Sequence, residues 1–233
     1  MCQKLLQCKD YGVPQNRPRI LIIGIRKDLK SNVNTFPKID KTYPDPEELL
    51  SDLVDKDYIK NNFKTNRYLS EPKNKIQKKL RLLQNGKSYL KKGDEILDQE
   101  YSNHNKKIIT KFSSMIKNNG KILPKYKTKK FSQRLIPKKW RLEGPNITAT
   151  SLPDDYVHFS QPRCLTVREW ARLQMFPDWY IFKGKRHTGG LRRAGNPLKG
   201  IFDREVPKYT QIGNAVPVEL AKRLGLFLKK KLG

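Results

Sequence analysis

Apolar positions in this chain come in short groups separated by polar ones. Ile20-Leu21-Ile22-Ile23-Gly24-Ile25 is an unbroken apolar run of the length of a fully buried strand. Gly12 and Pro14 make a turn just before it. On the approach Gln15, Arg17 and Arg19 alternate, so their side chains face one way. Two guanidiniums and an amide on one side of a strand edge suit a planar, oxygen-bearing partner; alone, the segment also reads as a turn with exposed arginines. Helical spacing follows. Asp45 caps a helix with Pro46 at its first position and Leu49, Leu50 and Leu53 inward. Ile76, Leu80 and Leu83 form a second stripe that Gly86 would close, and Ile108, Ile109, Phe112, Met115 and Ile116 form a third, with Gly120 after it. Such stripes build cores. In Arg163-Cys-Leu-Thr-Val-Arg-Glu-Trp-Ala-Arg-Leu-Gln-Met-Phe-Pro-Asp178, Thr166 and Glu169 make a capping box, and a helix is expected to about Met175, where Pro177 stops it. Val167, Trp170, Ala171 and Gln174 would share an inner face, and Arg168 and Arg172 an outer one. On spacing alone this is a surface helix with a solvated basic side. A last helix should follow Pro217, with Leu220, Leu224, Phe227 and Leu228 on one face and Lys229, Lys230 and Lys231 at its C-terminus. Gly213 permits close approach, and Asn214 would set an amide near the free N–H groups of a helix start, where a carboxylate or hydroxyl could bind.

Charge changes this picture. Lys and Arg number 50 against 22 Asp and Glu, a formal charge of +28 over 233 residues, and apolar content is 36%. That balance allows one large or two small domains with a modest core and points to a polyanion, above all nucleic acid. A ribosome-type basic protein or a Lys-rich genome would leave the same imprint. Between Lys125 and Arg141 basic residues, among them Lys129 and Lys130, interleave with Tyr126, Phe131 and Trp140. This suits a nucleic-acid backbone and also a plain solvated loop. Thr188-Gly-Gly-Leu-Arg-Arg193 could meet phosphates through backbone N–H groups and through Arg192 and Arg193. It lacks GK[ST] and is no P-loop. Cys2, Cys8 and Cys164 form no metal spacing, and His104, His158 and His187 are scattered, so no metal is expected. With no long apolar run and no signal peptide, the expectation is a reduced, cytoplasmic protein without a membrane span.

Three segments then stand out together, and their order resembles the last three motifs of the DNA cytosine-5 methyltransferases. Pro14-Gln-Asn-Arg-Pro-Arg19 resembles motif eight, Arg163 to Pro177 motif nine, and Gln211-Ile-Gly-Asn-Ala-Val-Pro217 motif ten. The matched residues number 28 of the 233 but frame nearly all of the chain. The resemblance implies that Arg19 touches O2 of a flipped cytosine and that Arg17 and Gln15 support it or the catalytic loop. It implies that motif nine organises a target recognition domain, with Arg163, Arg168, Glu169 and Arg172 as scaffolding and phosphate contacts. It places Gly213, Asn214 and Ala215 at the S-adenosylmethionine pocket. An enzyme acting on a base must extrude it from the stack, so double-stranded DNA is the implied partner.

The family's Pro-Cys-Gln nucleophile, Glu-Asn-Val acid and Phe-x-Gly-x-Gly cofactor loop do not occur in this sequence. Met1-Cys2-Gln3 mimics the first, but it lies too close to motif eight to leave room for the acid motif. The expectation is therefore the C-terminal part of such an enzyme, either one subunit of a split enzyme or the product of an interrupted gene or fragment, inactive alone and completed by a second polypeptide carrying motifs one to six; a non-catalytic basic nucleic-acid-binding protein or remnant is the rival. The family fold is a doubly wound α/β sheet, of which this chain would supply the last strands and one helix, so in isolation it should be α+β. Residues 1–30 would end the catalytic lobe, 31–205 form the recognition domain, and 206–233 return to the lobe. The strand at 20–25, unpaired within the chain, should leave an exposed sheet edge.

Overall fold

Helices and small sheets alternate along the chain in a mixed α/β arrangement. The structure, a computed structural model, describes residues 2–29, 35–40, 42–127, 133–140, 145–148, 155–187, 196–200, 202 and 205–232. The expected apolar strand is β2 (Pro18–Ile23), and it is not unpaired. It forms an antiparallel pair with β1 (Cys2–Gln7), in register from Cys2 opposite Ile23 to Gln7 opposite Pro18. Sequence reading missed β1 because Lys and Gln dominate it and only Leu6 turns into the core. Nor is β2 fully buried. Only Ile23 is enclosed, while Ile20 is 73% and Ile22 58% exposed, with Leu5 of β1 61% exposed beside them. None of the described residues covers that face.

The helices follow their caps. α1 (Pro46–Leu50) begins with the Asp45–Glu48 capping box and buries Leu49 and Leu50. α2 (Lys75–Arg81) starts where Asn74 accepts from the Gln77 amide. It ends at Leu82, so Gly86, with φ +66°, belongs to the following turn rather than closing the helix. α3 (Lys106–Lys117) is capped by Asn105 and followed by Gly120 in the left-handed region. β3 (Arg134–Leu135) and β4 (Tyr156–Val157), both unforeseen, pair in parallel. Two-residue strands are too short for any periodicity to show.

α4 (Val167–Leu173) is the expected capping-box helix: Thr166 Oγ1 accepts from Glu169 N at 3.1 Å and Glu169 Oε2 accepts from Thr166 N at 2.9 Å. It stops two residues early, through the backbone. Met175 takes φ +63°, its N–H bonds Arg172 O and the next N–H bonds Ala171 O, a Schellman closure without glycine. All seven α4 residues are buried, so the half-solvated helix expected from spacing is corrected. α1 and α5 (Lys208–Asn214) both pack on it. α6 (Val218–Leu232) follows Pro217 as foreseen, but of its apolar face only Leu220 is buried; Leu224, Phe227 and Leu228 are half-buried.

The main core draws on every part of the chain: Leu6, Cys8 and Val13, then Leu49, Leu50 and Leu80, then Leu165, Trp170 and Leu173, then Tyr209, Ile212 and Leu220. A second, smaller core lies under α3, where Phe112 and Met115 meet Val157 and Cys164.

Candidate functional site

Two side-chain amides tie the three motifs together. Gln15 is fully buried and donates through Nε2 to Gln174 Oε1 at 2.9 Å; Gln174 donates through its own Nε2 to Ile212 O at 2.9 Å. The backbone carbonyl of Gln174 accepts from Val218 N at 3.1 Å, which fixes the start of α6. Because Ile212 O can only accept, Gln174 must present its oxygen to Gln15, and Gln15 must present its nitrogen. One residue from each motif thus stands in a single directed line. The oxygen of Gln15, buried at its far end, has no partner among the described residues.

The turn of motif eight is held on three sides. Asn16 N donates to Pro145 O at 3.1 Å, and the Arg17 guanidinium donates to Ile147 O. Gly12, with φ +81°, passes so close to α6 that an added Cβ would sit 3.1 Å from Arg223 Nη2 and 3.4 Å from Glu219 Cγ. Those two residues are anchored in turn. Arg223 pairs with Asp40 at 2.7 Å, and Glu219 with Lys79 at 2.9 Å. Arg17, just before β2, and Arg19, within it, are half-buried, and Arg19 donates to the adjacent Pro18 O at 2.7 Å. Its guanidinium carries no carboxylate contact among the described residues.

The arginines of motif nine are placed differently from the expected phosphate contacts. Arg163, Arg168 and Arg172 are fully buried. Arg163 meets Glu169 at 2.7 Å and lies over the Tyr101 ring, 4.6 Å from its centroid. Arg172 reaches Asp178 at 2.6 Å and also bonds Asp52, which pairs with Arg81 at 2.6 Å. Arg168 donates to Leu97 O and Tyr180 O at 3.1 and 2.9 Å. Burial alone would raise the Asp178 carboxyl, but Arg172 and then Arg168 hold it below the usual range. Burial likewise opposes ionisation of Glu169, yet Arg163 and the hydrogen bonds bring it down to about 2. A desolvated guanidinium with carboxylate and carbonyl partners has no capacity left for a phosphate. Their work is to lock α4 and the loops around it, the scaffolding half of what the resemblance implies. The signal in the sequence was Asp178, six residues from Arg172; Asp52 lies too far away in sequence to be found from it.

Motif ten ends one helix and leads directly into the next. Gly213 and Asn214 close α5, with Gly213 buried and Asn214 exposed; Ala215, half-buried, is the cap, and α6 begins three residues on. The Asn214 amide therefore stands on the surface between two helices, beside the start of α6. Lys129, Lys130, Arg192 and Arg193 lie outside the described residues, as does Thr188–Arg193. Cys8 and Cys164 are buried, and burial pushes the Cys8 thiol up to about 11, which suppresses the thiolate a nucleophile needs. No cluster of metal-ligating side chains occurs among the described residues, and no helix there is long and apolar enough to cross a membrane. His158, in the sequence only one of three scattered histidines, is buried against the Arg163–Glu169 pair; its Nδ1 accepts from Ser160 N at 3.1 Å and Gln161 N at 3.2 Å.

The motif-eight turn, the buried motif-nine helix and the motif-ten junction are thus joined in one arrangement, and comparison with known proteins gives the family. The sequence profile of the C-5 cytosine-specific DNA methylases matches residues 1–230, so the chain belongs to that family. It is 29% identical to the type II methyltransferase M.DdeI of Desulfomicrobium norvegicum, across 96% of this chain and 53% of that protein. It is 30% identical to M.BspRI of Lysinibacillus sphaericus, across 94% of this chain and 41% of that protein. The chain thus spans about half the length of the curated relatives it matches. Its fold is similar, with a TM-score of 0.63 at 21% identity, to the crystal structure of a DNA modification methyltransferase encoded within an E. coli prophage, covering all of this chain and 60% of that one.

Proposed function

We propose that this chain forms the target-recognition and closing portion of a DNA cytosine-5 methyltransferase, and that a polypeptide carrying the nucleophile, the acid and the main cofactor loop completes it. The observation that carries the reading is the Gln15–Gln174–Ile212 line, which holds the three family motifs in one fixed relation. In this reading Arg19 holds the flipped cytosine, its guanidinium being half-buried and unengaged by any described carboxylate. Arg17 and Gln15 hold the turn from which it projects. Asn214 and Ala215, at the junction before α6, fit the rim of an S-adenosylmethionine site, with buried Gly213 just before them in α5. That cofactor supplies the methyl group. The three proposed portions are residues 1–30 and 206–233 on the catalytic side and 31–205 on the DNA side. The last strands and α6 would then join a doubly wound sheet whose remainder comes from the partner.

The test is transfer of labelled methyl from S-adenosylmethionine to cytosine-containing duplex DNA. The chain alone should transfer none. Mixed with the polypeptide that carries the nucleophile and cofactor motifs it should be active, and Arg19→Ala should lower kcat of that mixture by a hundredfold or more. Transfer by the chain alone would overturn the reading and return attention to Cys2.

A further inference from the structure

The charge of this chain is not spread evenly. Residues 101–142 hold thirteen Lys and Arg and no Asp or Glu, whereas residues 40–100 hold thirteen basic and twelve acidic residues. Nearly half the net charge therefore sits on one segment, and α3 is its longest described element. From the apolar stripe of α3, Phe112 and Met115, with Ile108 beside them, pack on Val157, Cys164, Ile122 and Leu135, while Ile109 and Ile116 at its flank are half-buried. The opposite face carries Lys106, Thr110, Ser113 and Lys117, spaced by four, three and four residues and so aligned along the helix, with Lys107 alongside. Lys106, Lys107, Thr110 and Lys117 are exposed. The basic residues stand at the two ends and the short hydroxyl residues in the middle.

That layout has a natural counterpart. Eleven residues at ~1.5 Å each place the end lysines about 16 Å apart, and the major groove of B-DNA, roughly 12 Å wide, admits one helix. Short residues at the centre let the helix axis come close, and flexible lysine stems reach outward to the walls. We propose that the outward face of α3 docks in the major groove of duplex DNA, with Lys106 and Lys107 on phosphates of one wall and Lys117 on those of the other. This rests on the reading that the chain binds DNA, and it identifies the surface that does so.

The experiment measures binding of the full 233-residue chain to a short random-sequence DNA duplex over a range of salt, with circular dichroism as the check on folding. Each lysine–phosphate contact contributes about 0.9 to the slope of log K against log salt. Lys106→Ala/Lys107→Ala/Lys117→Ala should therefore flatten the slope by about 2 to 3. Lys56→Ala/Lys87→Ala/Lys91→Ala, which removes the same charge from exposed positions in the balanced segment, should leave it unchanged. An RNA duplex, whose deep, narrow major groove excludes a helix, should show no such difference between the two triples. Should the first triple not fold, Lys117→Ala alone should flatten the slope by about 0.9. Equal slopes for both triples on DNA, or an equal α3 effect on RNA, overturn the docking while leaving the chain a DNA binder. No DNA binding by the unaltered chain would overturn the functional reading as well.

Discussion

At the scale of single residues the chain is strictest where its segments touch. Gly12 has a backbone conformation that side chains rarely adopt, and its missing Cβ is what lets Glu219 and Arg223 of α6 lie against the motif-eight turn. Gly12→Ala should cost about 1–2 kcal/mol, the sum of a left-handed backbone and a contact at which Arg223 must give way. Urea unfolding measures it directly, and an unchanged midpoint would mean that α6 is not seated on this turn. The sequence showed the glycine and the turn but not the reason for them, because Glu219 and Arg223 stand more than two hundred positions away. Gln174 teaches the same thing. Its spacing put it correctly on the inner face of α4, while its role as the junction of three motifs depends on Gln15 and Ile212, which no local pattern connects.

At the scale of elements, α4 shows which part of a pattern can be read and which cannot. The Thr166–Glu169 box was legible because it is local. The burial of Arg163, Arg168 and Arg172 was not, because it depends on Asp52, Leu97 and Tyr101 arriving from elsewhere. A helix set so deep makes the fold sensitive to acid through His158. Burial, and then Arg163, lowers this imidazole from its ordinary 6.5 to about 3, with Glu169 opposing. The unfolded chain takes up the proton near 6.5, while the folded one refuses it until about 3, so stability is full above 6.5 and falls as pH drops through that window. Glu169, lowered from 4.5 to about 2, adds its own loss only below 4.5. Between 6.5 and 4.5 the expected slope is one proton, about 1.4 kcal/mol per pH unit. His158→Asn keeps an acceptor for the Ser160 and Gln161 amides and removes the titration, so urea midpoints across that window should become flat. If the variant loses stability as steeply as the unaltered chain, the slope belongs to another group.

At the scale of the whole molecule, apolar surface stands in two places with no full cover among the described residues. Leu5, Ile20 and Ile22 stand outward from the β1–β2 pair, and Leu224, Phe227 and Leu228 of α6 are only half-covered. The sequence pattern anticipated burial at both places, and the structure supplies only part of it. An enclosed strand and a helix with a full apolar face are what the pattern of a complete lobe would need. Full burial of a Leu or Ile contributes about 1.5–3 kcal/mol, so covering Leu5, Ile20 and Ile22 could supply most of the binding energy of a stable pair. Leu5→Thr/Ile20→Thr/Ile22→Thr keeps strand-compatible side chains while removing that contribution. Because these positions are exposed, the variant chain should fold with nearly unchanged stability and associate less with itself in sedimentation. Mixed with the polypeptide carrying the nucleophile, it should bind at least a hundredfold more weakly than the unaltered chain and restore correspondingly less methyl transfer. Undiminished binding by the variant would place the seam elsewhere on the molecule, with the half-covered face of α6 the next surface to alter. A variant that no longer folds would show instead that β1 and β2 need these side chains within the chain itself, and that the exposed face is not a seam at all.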